Sequence, residues 1–387
     1  MRILCCYVLL LAVLAAPVSA QVGLAGEIGF TYKQDFARRE GEASTRVNST
    51  IKGASPFSLV RARFFVDAEV DDGVAVFTTL LFDEDLQSFD LEGAYVVFDE
   101  VAGVSWASAL VGKMPTAFGT FAARSFAMVN PLIGVPLIYH YFTAIQGGSV
   151  ARDNAAQLAR RGDGFQPGRG LSILYDSCWN SGVQLFGSYN QLTYALALTK
   201  GAVSNPTATD NDGIQLVGRV GAQPTMGLKF GFSLALAPYL NERVASNSAF
   251  PQGARVEDYL QRLVGFDLEY SRGHFQLIAE AVRNEWQVPN LTIDALANTG
   301  AYVEGKYELG PGFYYALRYG FIDFDAIADG VGGRRDWDFD TRRVETGFGY
   351  YLSRQTRVKA LLQLNSWAKE ALDRHDRLFA LELASAF

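Results

Sequence analysis

Hydrophobic and polar residues alternate along most of this chain with a period of two. The clearest case is the last stretch, where Phe379, Leu381 and Leu383 share one parity and Glu382 lies on the other. Such a period predicts a β-strand with one apolar face and one small or polar face. The pattern recurs in segments of roughly ten residues, the length of a membrane-crossing strand, so the chain is predicted to be all-β.

Sixteen such segments can be counted, from residues 27–36 to residues 376–387. Long gaps alternate with short turns, and the long ones are 37–56, 115–169, 201–212, 241–256, 289–297, 326–338 and 368–375. Short periplasmic turns and long extracellular loops are typical of an antiparallel transmembrane β-barrel. Residues 171–176 also alternate weakly, but a seventeenth strand would reverse the loop asymmetry, so we assign them to the long loop.

The amino-terminal segment predicts export from the cytoplasm. Arg2 precedes an apolar run at 3–16, and small residues follow at 17–20. This is the pattern of a secretory signal peptide, here residues 1–20, cut before Gln21. The barrel is then predicted to occupy residues 21–387. No later run reaches 18 apolar residues, so strands are expected to cross the membrane.

Composition agrees with a barrel and disfavours other classes. Hydrophobic residues make up 49% of the chain and aromatic residues 13%, with 38 glycines. This suits a lipid-facing surface spread over every second residue. The net charge of −7 comes without any basic block, so no nucleic-acid partner is expected.

No motif predicts catalysis, a metal site or a cofactor. The chain has three histidines and lacks His-x-x-x-His, Cys-x-x-Cys, G-x-S-x-G and phosphate-loop patterns. We therefore expect no enzyme activity and no cofactor. A barrel enzyme is the alternative, and it would need a serine or an acid beside His140 or His375. A closed barrel with a structural or adhesive surface role is another.

Charged residues of both signs fall on the polar parity of the strands. The cations are Arg61, Arg63, Arg219, Lys229, Lys306, Arg318, Arg343, Arg357 and Lys359, and the anions are Asp67, Glu69, Asp267, Glu269, Glu304, Glu308, Glu345 and Glu382. Collectively they need water, so a hydrated lumen is predicted. Any one of them could equally be paired within the wall.

Aromatic residues near strand ends predict an interfacial girdle. Tyr270, Tyr319, Tyr350 and Phe387 lie on the lipid parity there. Stacking against a carbohydrate would instead require rings that face the lumen, as those of Trp367 and Tyr314 could.

Two motifs carry a resemblance to a known family. Residues 112–119 read GKMPTAFG and residues 130–137 read NPLIGVPL, and this region, together with residues 192–201, resembles the phosphate-selective porins of the O and P type. The resemblance implies a homotrimer of 16-stranded barrels, each narrowed by a loop folded inward after the fifth strand. It does not imply phosphate selectivity, since the family's pore-lining Arg and Lys arrays have no residue-by-residue match.

The carboxy-terminus carries a second resemblance. Bacterial outer-membrane porins end in a strand with a terminal phenylalanine that the barrel-assembly machinery reads, and Phe387 is similar to that signal. Ser385 departs from the pattern, because a bulkier residue is commoner there.

The predicted function is passive diffusion of small hydrophilic solutes through an outer-membrane porin, in contact with lipid and lipopolysaccharide. The candidate pore or constriction residues are Arg61, Arg63, Arg124, Arg152, Arg160, Arg161, Arg169, Arg343 and Lys359. Five of these arginines lie at 115–169 against Asp153 and Asp163, five minus two or a net +3. At a constriction that charge would favour anions. The alternative is an external lid whose arginines meet solvent or lipopolysaccharide phosphates.

Overall fold

The structure is a computed structural model that describes residues 21–36, 55–165, 169–175, 179–367 and 375–387. The predicted signal peptide, residues 1–20, lies outside these ranges. No helix of the described residues is long and apolar enough to cross a membrane.

Strands are the main regular structure of the described residues. In chain order they are β1 (Gln21–Phe36), β2 (Val60–Asp71), β3 (Val74–Asp83), β4 (Ser88–Phe98), β5 (Ser108–Pro115), β6 (Trp179–Tyr189), β7 (Leu192–Thr199), β8 (Gln215–Thr225), β9 (Leu228–Pro238), β10 (Leu260–Arg272), β11 (Phe275–Gln287), β12 (Ala295–Gly310), β13 (Phe313–Phe324), β14 (Ala326–Ala328), β15 (Arg334–Asp336), β16 (Thr341–Tyr351), β17 (Thr356–Trp367) and β18 (His375–Ala386). Short α-helices span Leu137–His140 and Asn154–Leu158, and 3-10 helices span Val101–Gly103, Ala122–Arg124, Asp163–Phe165, Glu242–Ser246 and Val256–Asp258.

Sixteen of these strands close into one antiparallel barrel, and β14 and β15 form a separate hairpin. The predicted strand number is therefore confirmed. The seam joins β1 to β18, with Phe30 opposite Leu383, and Phe387 extends it by exchanging two 2.9 Å backbone hydrogen bonds with Gly26. Closure matters because an open edge would leave unpaired backbone groups in lipid.

The last strand shows how the wall divides the two environments. Leu381 and Leu383 are each 40% exposed on the outside, whereas Ala380, Glu382 and Ala384 are buried on the lumen side. The predicted parity of this strand is correct. Tyr319, Tyr350 and Phe387 are also exposed on the outer surface.

Some strands begin or end at other residues than predicted, because the residues that flank them carry only weak turn signals. β1 begins at Gln21 and β12 at Ala295, each six residues earlier than the alternation indicates. β5 keeps Pro115, so the long connection to β6 begins at residue 116. Residues 171–175 form no wall strand, and only Ser172 makes an isolated bridge, with Phe142. Their assignment to the long loop is confirmed.

Long connections gather at one end of the barrel, which we call the outer end, and short turns at the other, the inner end. Two connections break the rule. The outer one between β3 and β4 is only 84–87, and the inner one between β4 and β5 is 99–107. A 3-10 turn with Glu100 and Ala102 at positive φ lengthens the inner connection.

Candidate functional site

The connection between β5 and β6 folds into the barrel, and we call its described parts, 116–165 and 169–175, the β5–β6 loop. Its apolar segment is buried, with Leu132, Leu137 and Ile138 no more than 1% exposed. One group of wall residues, including Ile278 and Val282, packs on it from one side. A second group packs on Leu132 and Ile133, and its members are Phe57, Tyr314, Ala316, Leu361, Leu378 and Ala380. The loop is thus held by apolar contacts on two sides of the lumen.

Glu280 on β11 fixes the first part of the loop. Its Oε1 accepts hydrogen bonds from the Thr120 amide at 2.9 Å and hydroxyl at 2.6 Å. Its Oε2 accepts one from the Tyr139 hydroxyl at 2.5 Å. Charge-assisted bonds of this kind are stronger than neutral ones, so Glu280 is a main anchor of the loop.

Wall cations hold the second part of the loop by its carbonyl oxygens. Arg357 Nη2 donates to Asn130 O at 2.7 Å, and Lys359 Nζ donates to Leu132 O at 3.2 Å. Arg343 Nη1 donates to Val135 O at 3.3 Å. Each bond satisfies a carbonyl that the irregular loop backbone would otherwise leave unpaired. The cations therefore position the loop as well as charging the lumen.

Carboxylates pair with most of the lumen cations. The ion pairs are Arg61–Asp83 at 3.3 Å, Arg63–Glu27 at 3.0 Å, Arg63–Glu92 at 2.8 Å, Arg124–Glu304 at 3.2 Å, Arg219–Asp267 at 2.6 Å, Arg318–Glu304 at 2.6 Å, Arg318–Glu345 at 3.0 Å and Lys359–Glu382 at 2.5 Å. Pairing offsets the cost of removing these charges from water. Positive and negative side chains in the lumen therefore largely neutralise one another.

A small cavity separates part of the loop from the wall of β1, β2, β17 and β18. It has a volume of about 40 Å³, and its charged lining residues are Glu27, Arg61, Arg63, Lys359 and Glu382. The opposite side is formed by loop residues that include Ala127 and Asn130. A water needs roughly 10–15 Å³, so the cavity has room for water. We call it the wall cavity.

The candidate arginines fall into two groups. Arg61, Arg63, Arg124, Arg343 and Lys359 lie inside the barrel at the contacts given above. Four others lie on the outer part of the β5–β6 loop: Arg152, Arg160, Arg161 and Arg169.

The outer arginines have different surroundings. The Arg152 side chain is 81% exposed beside Asp153, and Arg160 donates to Val150 O at 2.9 Å. The Arg161 guanidinium lies 4.5 Å from the ring centroid of Phe339, and Arg169 is exposed. The structure does not bring this group to the wall cavity.

The two lumen-facing aromatic residues considered for carbohydrate stacking are both buried. Tyr314 is 0% exposed and donates its hydroxyl to Pro131 O at 2.9 Å, and Trp367 is 6% exposed. Neither ring presents a free face to a sugar.

His140, one of the two histidines that a barrel enzyme would need, is buried. His140 is 0% exposed, and neither ring nitrogen has a hydrogen-bond partner within the described residues. Burial lowers the pKa of His140 well below 6.5, so the ring is neutral. The His375 side chain lies outside the described part, and no cluster of metal-binding residues occurs in the rest.

Sequence reasoning missed the acidic anchors Glu27, Glu92 and Glu280. A usable signal existed, because Ile278 and Val282 put apolar side chains on the lumen parity around Glu280. Apolar residues facing a hydrated lumen indicate that something packs on them. Phe65 is a further case, since its ring lies 5.5 Å from that of Phe126 in the loop.

Comparison with known proteins defines the fold. No family model matches the sequence, and no curated protein matches it. A loop-deletion mutant of OmpT, an outer membrane protein of Vibrio cholerae, has 13% identity and a TM-score of 0.58, covering 95% of this chain and 100% of its own.

Two porin structures are similarly related. Salmonella typhi OmpF, solved with daunomycin, has 14% identity and a TM-score of 0.56, covering 95% of this chain and 97% of its own. A porin refined at 1.8 Å has 13% identity and a TM-score of 0.52, with coverage of 95% and 100%. At such low identity the likeness establishes fold alone: the chain has the fold of the bacterial outer-membrane porins.

Proposed function

We propose that this protein is an outer-membrane porin through which small hydrophilic solutes and ions diffuse. The observation that carries the proposal is the wall cavity, a polar gap between a charged wall and a loop folded into a closed barrel. A lumen lined by charged groups needs water, and a water-filled barrel is a diffusion path. No step of this function requires catalysis or a cofactor.

The solute path runs along the wall cavity, and the β5–β6 loop narrows it there. Elsewhere the loop is joined to the wall by the apolar contacts described above. We infer that only ions and small solutes pass this narrow part of the lumen. A small conductance is therefore expected.

A mild anion preference is part of the proposal. Three cations, Arg61, Arg63 and Lys359, and two carboxylates, Glu27 and Glu382, line the wall cavity. Three minus two leaves a net +1 among the lining residues, and the low-dielectric wall focuses the field of that charge. Asp83 and Glu92, which are not lining residues, pair with Arg61 and Arg63 and reduce it, so the preference is mild.

Membership of the phosphate-selective O and P type porins is also a proposal, supported by the motifs at 112–119 and 130–137. A homotrimer is proposed on the same resemblance, and OmpT has been solved in a trimer form.

We further propose contacts with outer-membrane lipid and lipopolysaccharide, and recognition of Phe387 by the barrel-assembly machinery. In the structure the Phe387 ring packs at the seam, 6.2 Å from Phe64.

Single-channel recording in a planar bilayer tests the proposed function. The folded protein should insert and give discrete conductance steps in KCl. The second candidate, a closed barrel with a structural or adhesive role, is favoured by the extensive apolar packing around the loop. Folded, heat-modifiable protein that inserts without conductance would support that alternative and contradict the porin.

A further inference from the structure

One aromatic side chain on the lumen side of the wall is exposed. Phe77 on β3 shares the parity of Thr79 and Leu81, which are each 6% exposed, but Phe77 itself is 36% exposed. It belongs to neither of the apolar groups that pack on the β5–β6 loop. An aromatic ring that faces a hydrated lumen lowers its free energy when an apolar surface covers it. Phe77 therefore marks a surface that is available to a solute.

Phe77 lies in a row of lumen-facing residues that crosses neighbouring strands. Its direct cross-strand partners are Asp67 on β2 and Tyr95 on β4. The Phe77 and Tyr95 rings stack with centroids 5.5 Å apart and planes 17° apart, and the ring of Trp179 on β6 lies 6.4 Å from that of Tyr95. Directly opposite Cβ atoms in such pairs are about 4.5–5.5 Å apart, so Asp67 adjoins the aromatic rings. We call Asp67, Phe77 and Tyr95 the acid–aromatic row.

The carboxylates at this part of the wall have no counter-ion. Asp67 and the next lumen-facing residue of β2, Glu69, form no ion pair or side-chain hydrogen bond within the part of the chain that the structure describes. Asp67 lies over Gly23 of β1, where an added Cβ would be 2.6 Å from Asp67 Oδ1. The sequence explains the imbalance, since residues 64–112 contain no lysine or arginine. This part of the lumen wall therefore carries unbalanced negative charge.

The acid–aromatic row lies nearer the inner end than the wall cavity does. β2 runs from the outer end to the turn at Gly73, and Asp67 follows Arg63 by four residues, a distance of about 13 Å along a strand. Gly112 on β5 and Gly182 on β6 continue the row beyond Tyr95 and place no side chain there. A solute that passes the cations of the wall cavity thus meets carboxylates and aromatic rings next.

We propose that the acid–aromatic row binds a small organic cation, an ammonium group carried on an apolar or aromatic body. The faces of aromatic rings attract cations, and the carboxylates of Asp67 and Glu69 supply the opposite charge. The apolar body of the solute would cover the exposed Phe77 ring, which an inorganic cation cannot do. The inference rests on the proposed porin function for access to the lumen, and it adds a solute class to that function.

Equilibrium binding to folded protein in a non-ionic detergent at low salt tests the proposal, with benzyltrimethylammonium as the probe. Saturable binding is expected, and benzoate, which has the same ring and the opposite charge, should not displace the probe. Phe77→Leu keeps an apolar side chain but removes the ring, so it should weaken binding by about two- to fivefold. Asp67→Asn should weaken it by about threefold or more, and added salt should reduce that difference. Asp72→Asn is the matched control, because it removes an exposed carboxylate of the adjacent turn outside the row.

Three results would overturn the site: no saturable binding of the probe, displacement of the probe by benzoate, or wild-type affinity in either row variant. Gel mobility before and after heating shows that each variant is folded before its affinity is compared. Conductance of the wild type is measured in parallel. Binding without conductance refutes the porin and leaves the site, whereas conductance without binding refutes only the site.

Discussion

At the scale of single residues, the buried charges act mainly through the partners that they meet across the lumen. Lys359 illustrates this, since it joins Glu382 on β18 to loop carbonyls at Ala127 and Leu132. Alternation along β17 predicts that Lys359 faces the lumen. It cannot predict these partners, because they come from a distant loop and from the neighbouring strand. The sequence therefore indicates which charges line the lumen but not which of them are free.

Asp338 is a residue-scale link that pH should control. Its Oδ2 accepts a hydrogen bond from the Ala144 amide at 2.6 Å and its Oδ1 one from the Gly162 amide at 3.2 Å, so it ties the β13–β16 connection to the β5–β6 loop. Burial raises the pKa of Asp338 from 3.8 to about 7, against the opposite effect of its backbone hydrogen bonds. The folded state therefore holds a proton that the unfolded state releases.

The pH dependence follows from the sign of that shift. The Asp338 contribution to the free energy of unfolding is full below about pH 4 and is lost as the pH rises through about 7. Its slope in that window is at most about 1.4 kcal/mol per pH unit. Thermal unfolding of the wild type and Asp338→Asn should be compared between pH 4 and pH 8. The variant should lack this component, and parallel profiles would contradict the assignment.

At the scale of elements, the strands were predictable because the wall separates lipid from water along every strand. The alternation identifies all sixteen, and the Gly73 turn, with φ of 70°, occurs where Asp71-Asp72-Gly73 indicates it. The ends were less predictable. β1 and β12 begin before the residues that alternate in hydrophobicity. Their first residues are held in the strand by backbone pairing with the neighbouring strands.

The parity of β18 gives a prediction for folding. Leu381→Arg places a cation on the lipid face, at a cost of about 2–4 kcal/mol near the membrane midplane, and Leu381→Met keeps size and hydrophobicity. The arginine variant should fold poorly into detergent or lipid, while the methionine variant folds normally. Comparable folded yields would contradict the lipid-facing assignment. Glu382→Arg is unsuitable as the control, because Glu382 is buried and paired with Lys359.

The anchoring of the β5–β6 loop gives a prediction for the channel. Glu280→Ala removes the acceptor for Thr120 and Tyr139, so the loop should move and the mean conductance should rise, with more current fluctuation. Glu308→Ala is the control, since Glu308 is an exposed acid near the inner end that pairs with Lys306. An unchanged current in Glu280→Ala would mean that the loop does not limit the path.

At the scale of the whole molecule, the closed barrel followed from the sequence but the contents of its lumen did not. Loop length and the apolar run at 131–138 indicate a functional segment. Its placement depends on contacts between residues far apart in the chain, such as Tyr139 with Glu280. The net +3 of residues 115–169 was a misleading average, because Arg124 lies in the lumen while four other arginines lie at the outer end.

Ion selectivity depends on the whole charge distribution of the protein. The arginines should affect it to different degrees, because they differ in exposure and position. Arg61 lines the wall cavity with its side chain 17% exposed, whereas Arg152 is 81% exposed at the outer end. Exposed charges are screened beyond about 10 Å in 0.1 M salt, and charges within a low-dielectric constriction much less. Each substitution to glutamine removes one positive charge, so position is the only difference that matters.

Reversal potentials in a KCl gradient measure this difference. Wild type should prefer anions mildly, Arg61→Gln should shift the reversal potential toward cations, and Arg152→Gln should leave it nearly unchanged. Replacing Arg152, Arg160 and Arg161 together by glutamate should shift it less than Arg61→Gln, although the triple variant changes six units of charge. A larger shift from the triple variant would place the selectivity filter at the outer end. No shift from Arg61→Gln would remove the wall cavity from the ion path.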